Sequence, residues 1–179
     1  MPKQKTRRIL IDASVATAAG EKSAPLSVTC RKFLTEFKKS SNVVVLYSEL
    51  QSEWADHPSS FAMDWLAAMV AKKHFHFIQL EEHAALQQAC TQANLSQQEH
   101  RAWRKDFHLI CASLQTDRSI SSRDRKAESV FCKIAATFGP LANIEWFDPE
   151  RDEAHLDAWL KNINAQKGRF RLSTPTSIP

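Results

Sequence analysis

The segment Asn42–Tyr47, NVVVLY, decides the fold class of this chain. It is rich in β-branched residues and almost continuously apolar, which is typical of a strand in a parallel sheet covered by helices on both faces. The next segment, SELQSEWADH, has helical character, with Ser48 as its expected N-cap and Pro58 at its end. A buried strand followed directly by a helix is the building unit of an α/β protein.

The same alternation continues on both sides of this unit. The predicted strands are Arg8–Asp12, Asn42–Tyr47, Ser119–Ser122 and Ile144–Phe147, and His74–Leu80 is left open as a strand or a turn. The predicted helices are Ala13–Ala19, Pro25–Lys39, Ser48–His57, Ser60–Lys73, Glu82–Ala93, Ser96–Gln115, Arg125–Phe138 and Glu153–Ile163. We therefore predict one α/β domain over residues 1–165, with a mostly parallel central sheet flanked by helices. Residues 166–179 are polar and basic, and we expect them to form a flexible tail.

Composition excludes several classes of protein. Only 3 glycines occur, and neither a P-loop nor a dinucleotide-binding glycine motif is present. No two of the 4 cysteines are spaced as a CxxC pair, so we expect free thiols and a cytoplasmic protein. The apolar run after the basic start is too short for a signal peptide, and no run approaches membrane-spanning length. A net charge of +4 favours contact with a polyanion without proving it.

Acidic residues follow two of the predicted strands. Asp12 ends the first strand, and Asp124 comes directly after the strand at Ser119–Ser122. In open α/β sheets, ligands bind at the carboxyl ends of the strands, so both carboxylates are expected to point into one crevice. The alternative for each is a helix N-cap. Asp106 lies in the charged stretch RKDFH, where a surface carboxylate is the alternative.

Four segments together form a pattern that resembles the PIN-domain family. The first is IDAS at Ile11–Ser14, and the second is the helix after the second strand, which carries Glu53 with Glu49 as a nearby competitor. The last two motifs are the specific part: DFHLICAS at Asp106–Ser113, and Ser122-Arg123-Asp124. The resemblance covers residues 8–147. The chain departs from the family pattern in having Ser122 where Thr is common, and in the long helical region between residues 58 and 99.

This resemblance implies a PIN-like fold and a divalent-metal-dependent endoribonuclease that uses Mg²⁺ or Mn²⁺. Hard cations prefer carboxylate oxygens, and clustered carboxylates need a cation to be tolerated. The implied metal ligands and catalytic acids are Asp12, Asp106, Asp124 and Glu53. Ser14 and Ser122 are expected to orient these carboxylates or to contact phosphate. His108, two positions after Asp106, is expected to point away from it on a helix and to have a packing role.

The resemblance also suggests partners. RNA is the expected substrate, and small bacterial PIN proteins of this type include VapC-like toxins, so an antitoxin-type protein partner is a further expectation; a homodimer is left open. The candidate nucleic-acid-binding residues are Arg123, Arg125, Lys126, Arg104 and Lys105, while Trp103 is the aromatic candidate for base stacking. The alternative function is a catalytically inactive PIN-like module that binds RNA or protein. A phosphatase-like hydrolase is disfavoured because Ser14, not Asp, stands two residues after Asp12.

Overall fold

The computed structural model of the protein describes residues 6–162 and 168–173. Its strands are β1 Arg8–Ile11, β2 Val43–Leu46, β3 Phe75–Phe77, β4 Ser119–Ser121 and β5 Glu145–Phe147. Its helices are α1 Ala13–Ala18, α2 Pro25–Lys39, α3 Ser48–Asp56, α4 Ser60–Ala71, α5 Ala84–Gln92, α6 Gln97–Leu114, α7 Arg125–Ala135 and α8 Leu156–Leu160. Short 3₁₀ turns lie at Gly139–Leu141 and Glu153–His155.

The five strands form one parallel sheet in the order β3-β2-β1-β4-β5. Three successive residues of the central strand β1, Ile9–Ile11, are fully buried. Because successive side chains of a strand point to opposite faces, both faces of the sheet must be covered. The α/β prediction, with a parallel sheet flanked by helices, is confirmed.

Local sequence explains why α2 and α6 form where they do. Pro25 occupies the first turn of α2, where its missing N–H costs nothing, and the predicted apolar face at Cys30, Phe33, Leu34 and Phe37 is buried. At α6, Ser96 and Glu99 form the predicted capping box, with the Ser96 hydroxyl accepting from the Glu99 N–H and the Glu99 carboxylate accepting from the Ser96 N–H.

Some boundaries differ from the predictions. Ser48 is the first residue of α3 rather than its N-cap, because Tyr47 keeps an extended backbone and takes the cap position. The undecided segment after α4 contains the edge strand β3, which pairs in parallel with β2. The predicted last helix is instead the 3₁₀ turn Glu153–His155 followed by the short α8, and its predicted end at Ile163 lies outside the described residues.

The described part of the expected tail, residues 168–173, is packed against the domain. Phe170 and Leu172 are buried, and the backbone of Arg171 forms an antiparallel bridge with Glu145 of β5. The Trp146 N–H donates to the Phe170 carbonyl at 2.8 Å. Burial of these two apolar side chains stabilises the packing of this stretch on the domain, and flexibility of the tail stays a prediction. Residues 163–167 and 174–179 lie outside the described ranges.

None of the helices within residues 6–162 and 168–173 is both long enough and apolar enough to cross a membrane.

Candidate functional site

The carboxyl ends of β1 and β4 bring two of the predicted acids side by side. These strands are neighbours in the sheet, and the Asp12 N–H donates to the Ser121 carbonyl at 2.9 Å. Asp12 and Asp124 follow the two strands and stand at the N-caps of α1 and α7. Asp124 also caps its helix, since its Oδ1 accepts from the Ala127 N–H at 2.9 Å. The N-cap alternative is thus correct for Asp124 and compatible with a position at the crevice.

Two serine hydroxyls tie Asp12 to the segment that carries Asp124. Ser122 donates from its hydroxyl to Oδ2 of Asp12 at 2.8 Å, and Ser14 donates to the same oxygen. The same two hydroxyls accept from backbone: Ser122 from the Asp124 N–H at 3.0 Å, and Ser14 from the Arg123 N–H at 3.1 Å. Both serines therefore occupy the carboxylate-orienting positions that were predicted for them, and they orient Asp12 while holding the loop after β4.

Asp106, on α6, lies near these acids, since the Nζ of Lys105 contacts both Asp106 and Asp124. It precedes the fully or nearly buried run Leu109–Ser113, so it sits where the helix leaves the core. The residue is 4% exposed, and its Oδ2 is buried without a hydrogen-bond partner. Burial raises the pKa of Asp106 to about 7, and the negative charges of Asp12 and Asp124 contribute to the rise. The surface-carboxylate alternative is wrong for Asp106.

Lys105 provides positive charge within this acidic group. Its Nζ lies 3.4 Å from Oδ2 of Asp124 and 3.9 Å from Oδ1 of Asp106. Partial burial lowers its pKa, but the nearby carboxylates of Asp106, Asp124 and Asp12 outweigh that effect and raise it above the ordinary value. Lys105 is consequently an ammonium group that bridges two of the predicted metal ligands.

Glu53, on α3, lines the cleft and belongs to a second polar network. Its Oε1 lies 3.2 Å from Nε2 of His108, and Nδ1 of the same imidazole lies 2.7 Å from the hydroxyl of Tyr47. Trp54 anchors α3 through an Nε1–H bond to the Ile11 carbonyl at 3.1 Å, which places the helix beside the end of β1. Glu53, rather than Glu49, lines the cleft with Asp12.

This network shows that the predicted role of His108 was incomplete. His108 packs edge-on against the Tyr47 ring, as a packing residue would, but it also contacts a candidate site carboxylate. Burial disfavours its charged form, yet the hydrogen bond to Glu53 and the surrounding carboxylates raise its pKa above the ordinary value. Sequence spacing on α6 could not reveal this contact, because Glu53 belongs to a different helix. Tyr47 was also missed, although its place at the end of β2 was a usable signal.

The candidate nucleic-acid-binding residues have unequal access to the cleft. An open cleft of about 440 Å³ is lined by Asp12, Ser14, Glu53, Lys105 and Arg123, among others. The other three cations lie elsewhere: Arg104 stacks over the Trp103 ring at 5.5 Å, Lys126 reaches Oε1 of Gln98 at 3.5 Å, and Arg125 pairs with Asp148 and Glu150.

Two of these predictions need correction. The Nε of Arg125 lies 2.6 Å from Oδ2 of Asp148, whose side chain is fully buried, so the charge of Arg125 already stabilises a buried carboxylate. Trp103 is 5% exposed and packs edge-on against Phe107, so its ring is not available to stack on a base. Asp148 itself follows β5 and was not singled out from the sequence; it serves this ion pair.

The donor set suits a hard divalent cation in its chemistry, although the ligands are not preassembled. Carboxylate oxygens are the ligands that Mg²⁺ and Mn²⁺ prefer, and the unpartnered Oδ2 of Asp106 is a buried acceptor that a cation would satisfy. Among the residues that the structure describes, no three Asp, Glu, His or Cys side chains form a ready metal-binding group. The fit therefore rests on the chemistry of the three carboxylates and on the unpartnered Oδ2 of Asp106.

No protein-family model matches the chain, and no curated protein matches it significantly. A functional assignment for this protein consequently depends on the geometry of the site.

Proposed function

We propose that this protein is a PIN-like, divalent-metal-dependent endoribonuclease whose site is the group Asp12, Asp106 and Asp124, with Glu53 of α3 lining the same cleft as Asp12. The observation that carries the proposal is the convergence of three carboxylates from three separate elements. Burial raises the pKa of Asp106 to about 7, and the negative charges of Asp12 and Asp124 add to the rise. A buried carboxylate without a hydrogen-bond partner costs stability, and such costs are concentrated at functional sites.

The acids would bind the metal, and the neighbouring serines would orient one of them. Asp12, Asp106 and Asp124 would hold Mg²⁺ or Mn²⁺, and Glu53 would complete the set from α3. When bound, the ion would lower the pKa of a bound water and offset charge on the phosphate. Ser14 and Ser122 orient Asp12 through their hydroxyls.

The remaining polar groups at the cleft would position the substrate. Arg123 and Lys105 line the cleft and can approach a phosphate, which fits a polyanionic substrate. His108 holds Glu53 through Nε2, and Tyr47 holds His108 through Nδ1. We propose RNA as the polyanion; control by an antitoxin-type partner, a cytoplasmic location and a homodimer remain sequence predictions.

A cleavage assay tests the proposal. Labelled single-stranded RNA is incubated with the protein in Mg²⁺, Mn²⁺ or EDTA, and wild type is compared with Asp12→Asn and Asp106→Asn. We expect cleavage only with metal, and loss of at least about 100-fold in each variant because removing one charge weakens the metal site.

The matched control is Asp64→Asn, which removes an exposed carboxylate on α4, away from the cleft. It should cut like wild type, and circular dichroism should show that every variant is folded. Metal-dependent cleavage that persists in both Asp12→Asn and Asp106→Asn would sink the proposal.

One observation favours the alternative, a catalytically inactive PIN-like module that binds RNA or protein. Lys105 already supplies a cation to Asp106 and Asp124, and the described residues contain no preformed metal group. If this alternative is correct, Mn²⁺ will not raise the melting temperature of the protein, and RNA will bind equally well in EDTA.

A further inference from the structure

Lys105 and Asp106 are neighbours on α6 with very different surroundings. The side chain of Lys105 is 67% exposed, whereas that of Asp106 is 6% exposed. The ammonium lies 3.9 Å from Oδ1 of Asp106 and 3.4 Å from Oδ2 of Asp124. A solvent-exposed stem thus places its charged end near a buried acceptor.

The charges at this point are not balanced. Asp12, Asp106 and Asp124 lie close enough to disfavour one another's ionised forms, and a single ammonium offsets one negative charge. It leaves Oδ2 of Asp106 without a hydrogen-bond partner. A divalent cation would offset two charges and could use the same oxygens that Lys105 contacts.

Exchange of the Lys105 ammonium for a divalent cation requires little free energy to release the lysine. The Lys105 side chain is 67% exposed, so water can hydrate the released ammonium, while the incoming divalent cation compensates the carboxylates that it leaves. The lysine stem is flexible and its head is strongly hydrated. Asp106 is buried and Asp124 caps α7, so the carboxylates stay in place and the lysine leaves.

From this geometry we infer that Lys105 is an exchangeable counterion of the acidic group. Without metal, its ammonium bridges Asp106 and Asp124 and keeps them close. A divalent cation displaces it, and the released ammonium faces the cleft, where it contacts a phosphate of the bound RNA. This inference rests on the proposed function, because it requires that the acidic group binds metal.

The test compares Mn²⁺ affinity, measured by calorimetry, in wild type and Lys105→Gln. Loss of a competing cation should tighten Mn²⁺ binding by about 3- to 10-fold, the range expected for exposed ion pairs that are removed together. A purely structural or purely RNA-binding lysine would leave the affinity unchanged. The matched control is Arg104→Gln, since Arg104 is the adjacent cation but stacks on Trp103. It should bind Mn²⁺ like wild type.

A second measurement needs no metal. In EDTA at pH 8, Lys105→Gln should melt about 1–3 °C below wild type, because the carboxylates lose their counterion. Saturating Mn²⁺ should remove this difference, whereas Arg104→Gln should show no such metal-dependent recovery. In cleavage assays, Lys105→Gln should raise KM for RNA more than it lowers kcat.

The outcomes separate this inference from the proposed function. If wild type binds Mn²⁺ and Asp106→Asn does not, while Lys105→Gln binds it equally or more weakly, the exchange is refuted and the nuclease proposal stands. If neither wild type nor Lys105→Gln binds Mn²⁺, both are refuted. Tighter binding in Lys105→Gln together with its lower melting temperature in EDTA would support the exchange.

Discussion

Replacing Asp106 by Asn should stabilise the metal-free protein at alkaline pH. Asn has nearly the same shape as Asp but carries no charge to be buried beside Asp12 and Asp124. The pKa of Asp106 rises from an ordinary 3.8 to about 7 in the folded protein. At about 1.4 kcal/mol for each pH unit, this corresponds to an upper limit of about 4 kcal/mol.

The sign of the effect follows from proton binding. Between about pH 4 and pH 7, folded Asp106 holds its proton while the unfolded side chain has lost it, so the free energy of unfolding of wild type falls as pH rises. Asp106→Asn lacks this titration. The difference in free energy of unfolding between Asp106→Asn and wild type should therefore grow with pH and level off above about pH 7. We expect this difference to be about 2–3 kcal/mol larger at pH 8 than at pH 5.

Urea denaturation in EDTA, carried out at pH 5, 6.5 and 8, measures this difference directly. Asp64→Asn serves as the control, because an exposed carboxylate should give a difference that does not depend on pH. At pH 8, saturating Mn²⁺ should make wild type more stable than Asp106→Asn, since the ion stabilises only the protein that binds it. A variant less stable than wild type at pH 8, or a constant difference across the pH range, would refute the account of Asp106 as a buried, electrostatically strained carboxylate.

Two further predictions concern contacts on either side of the cleft. Tyr47→Phe removes the hydroxyl that hydrogen-bonds Nδ1 of His108, so the imidazole that contacts Glu53 is held less firmly. We expect the cleavage rate to fall by about 3- to 10-fold. An unchanged rate in a variant with a wild-type circular dichroism spectrum would exclude a positioning role for this network. Arg125→Gln removes the Nε donor from Oδ2 of the buried Asp148, whose Oδ1 keeps the N–H donors of Glu150 and Arg151. We expect the free energy of unfolding in urea to fall by about 1–3 kcal/mol, with little change in RNA binding. Weaker RNA binding without loss of stability would instead support Arg125 as a phosphate contact.

Local patterns were sufficient to predict much of the fold. The apolar run NVVVLY and the segment RILID became the buried strands β2 and β1, because continuous apolar character suits only a sheet covered on both faces. The capping box at Ser96 and Glu99 placed the start of α6, since that interaction lies within one turn. Weakly patterned segments, such as Phe75–Phe77, were undecided because an edge strand is defined by its neighbour.

For the candidate site, the sequence by itself determined which side chains follow the strands. Asp12 and Asp124 were placed correctly at the carboxyl ends of neighbouring strands, and Ser14 and Ser122 beside them, because these positions depend on strand ends that can be recognised locally.

Only the tertiary structure decided how those side chains interact. The approach of α6 determined that Asp106 is buried without a partner and that Lys105 bridges it to Asp124. The relative positions of α3 and α6 determined that His108 contacts Glu53. Contacts between residues tens of positions apart depend on how helices pack over the sheet, and no periodicity within one segment carries that information.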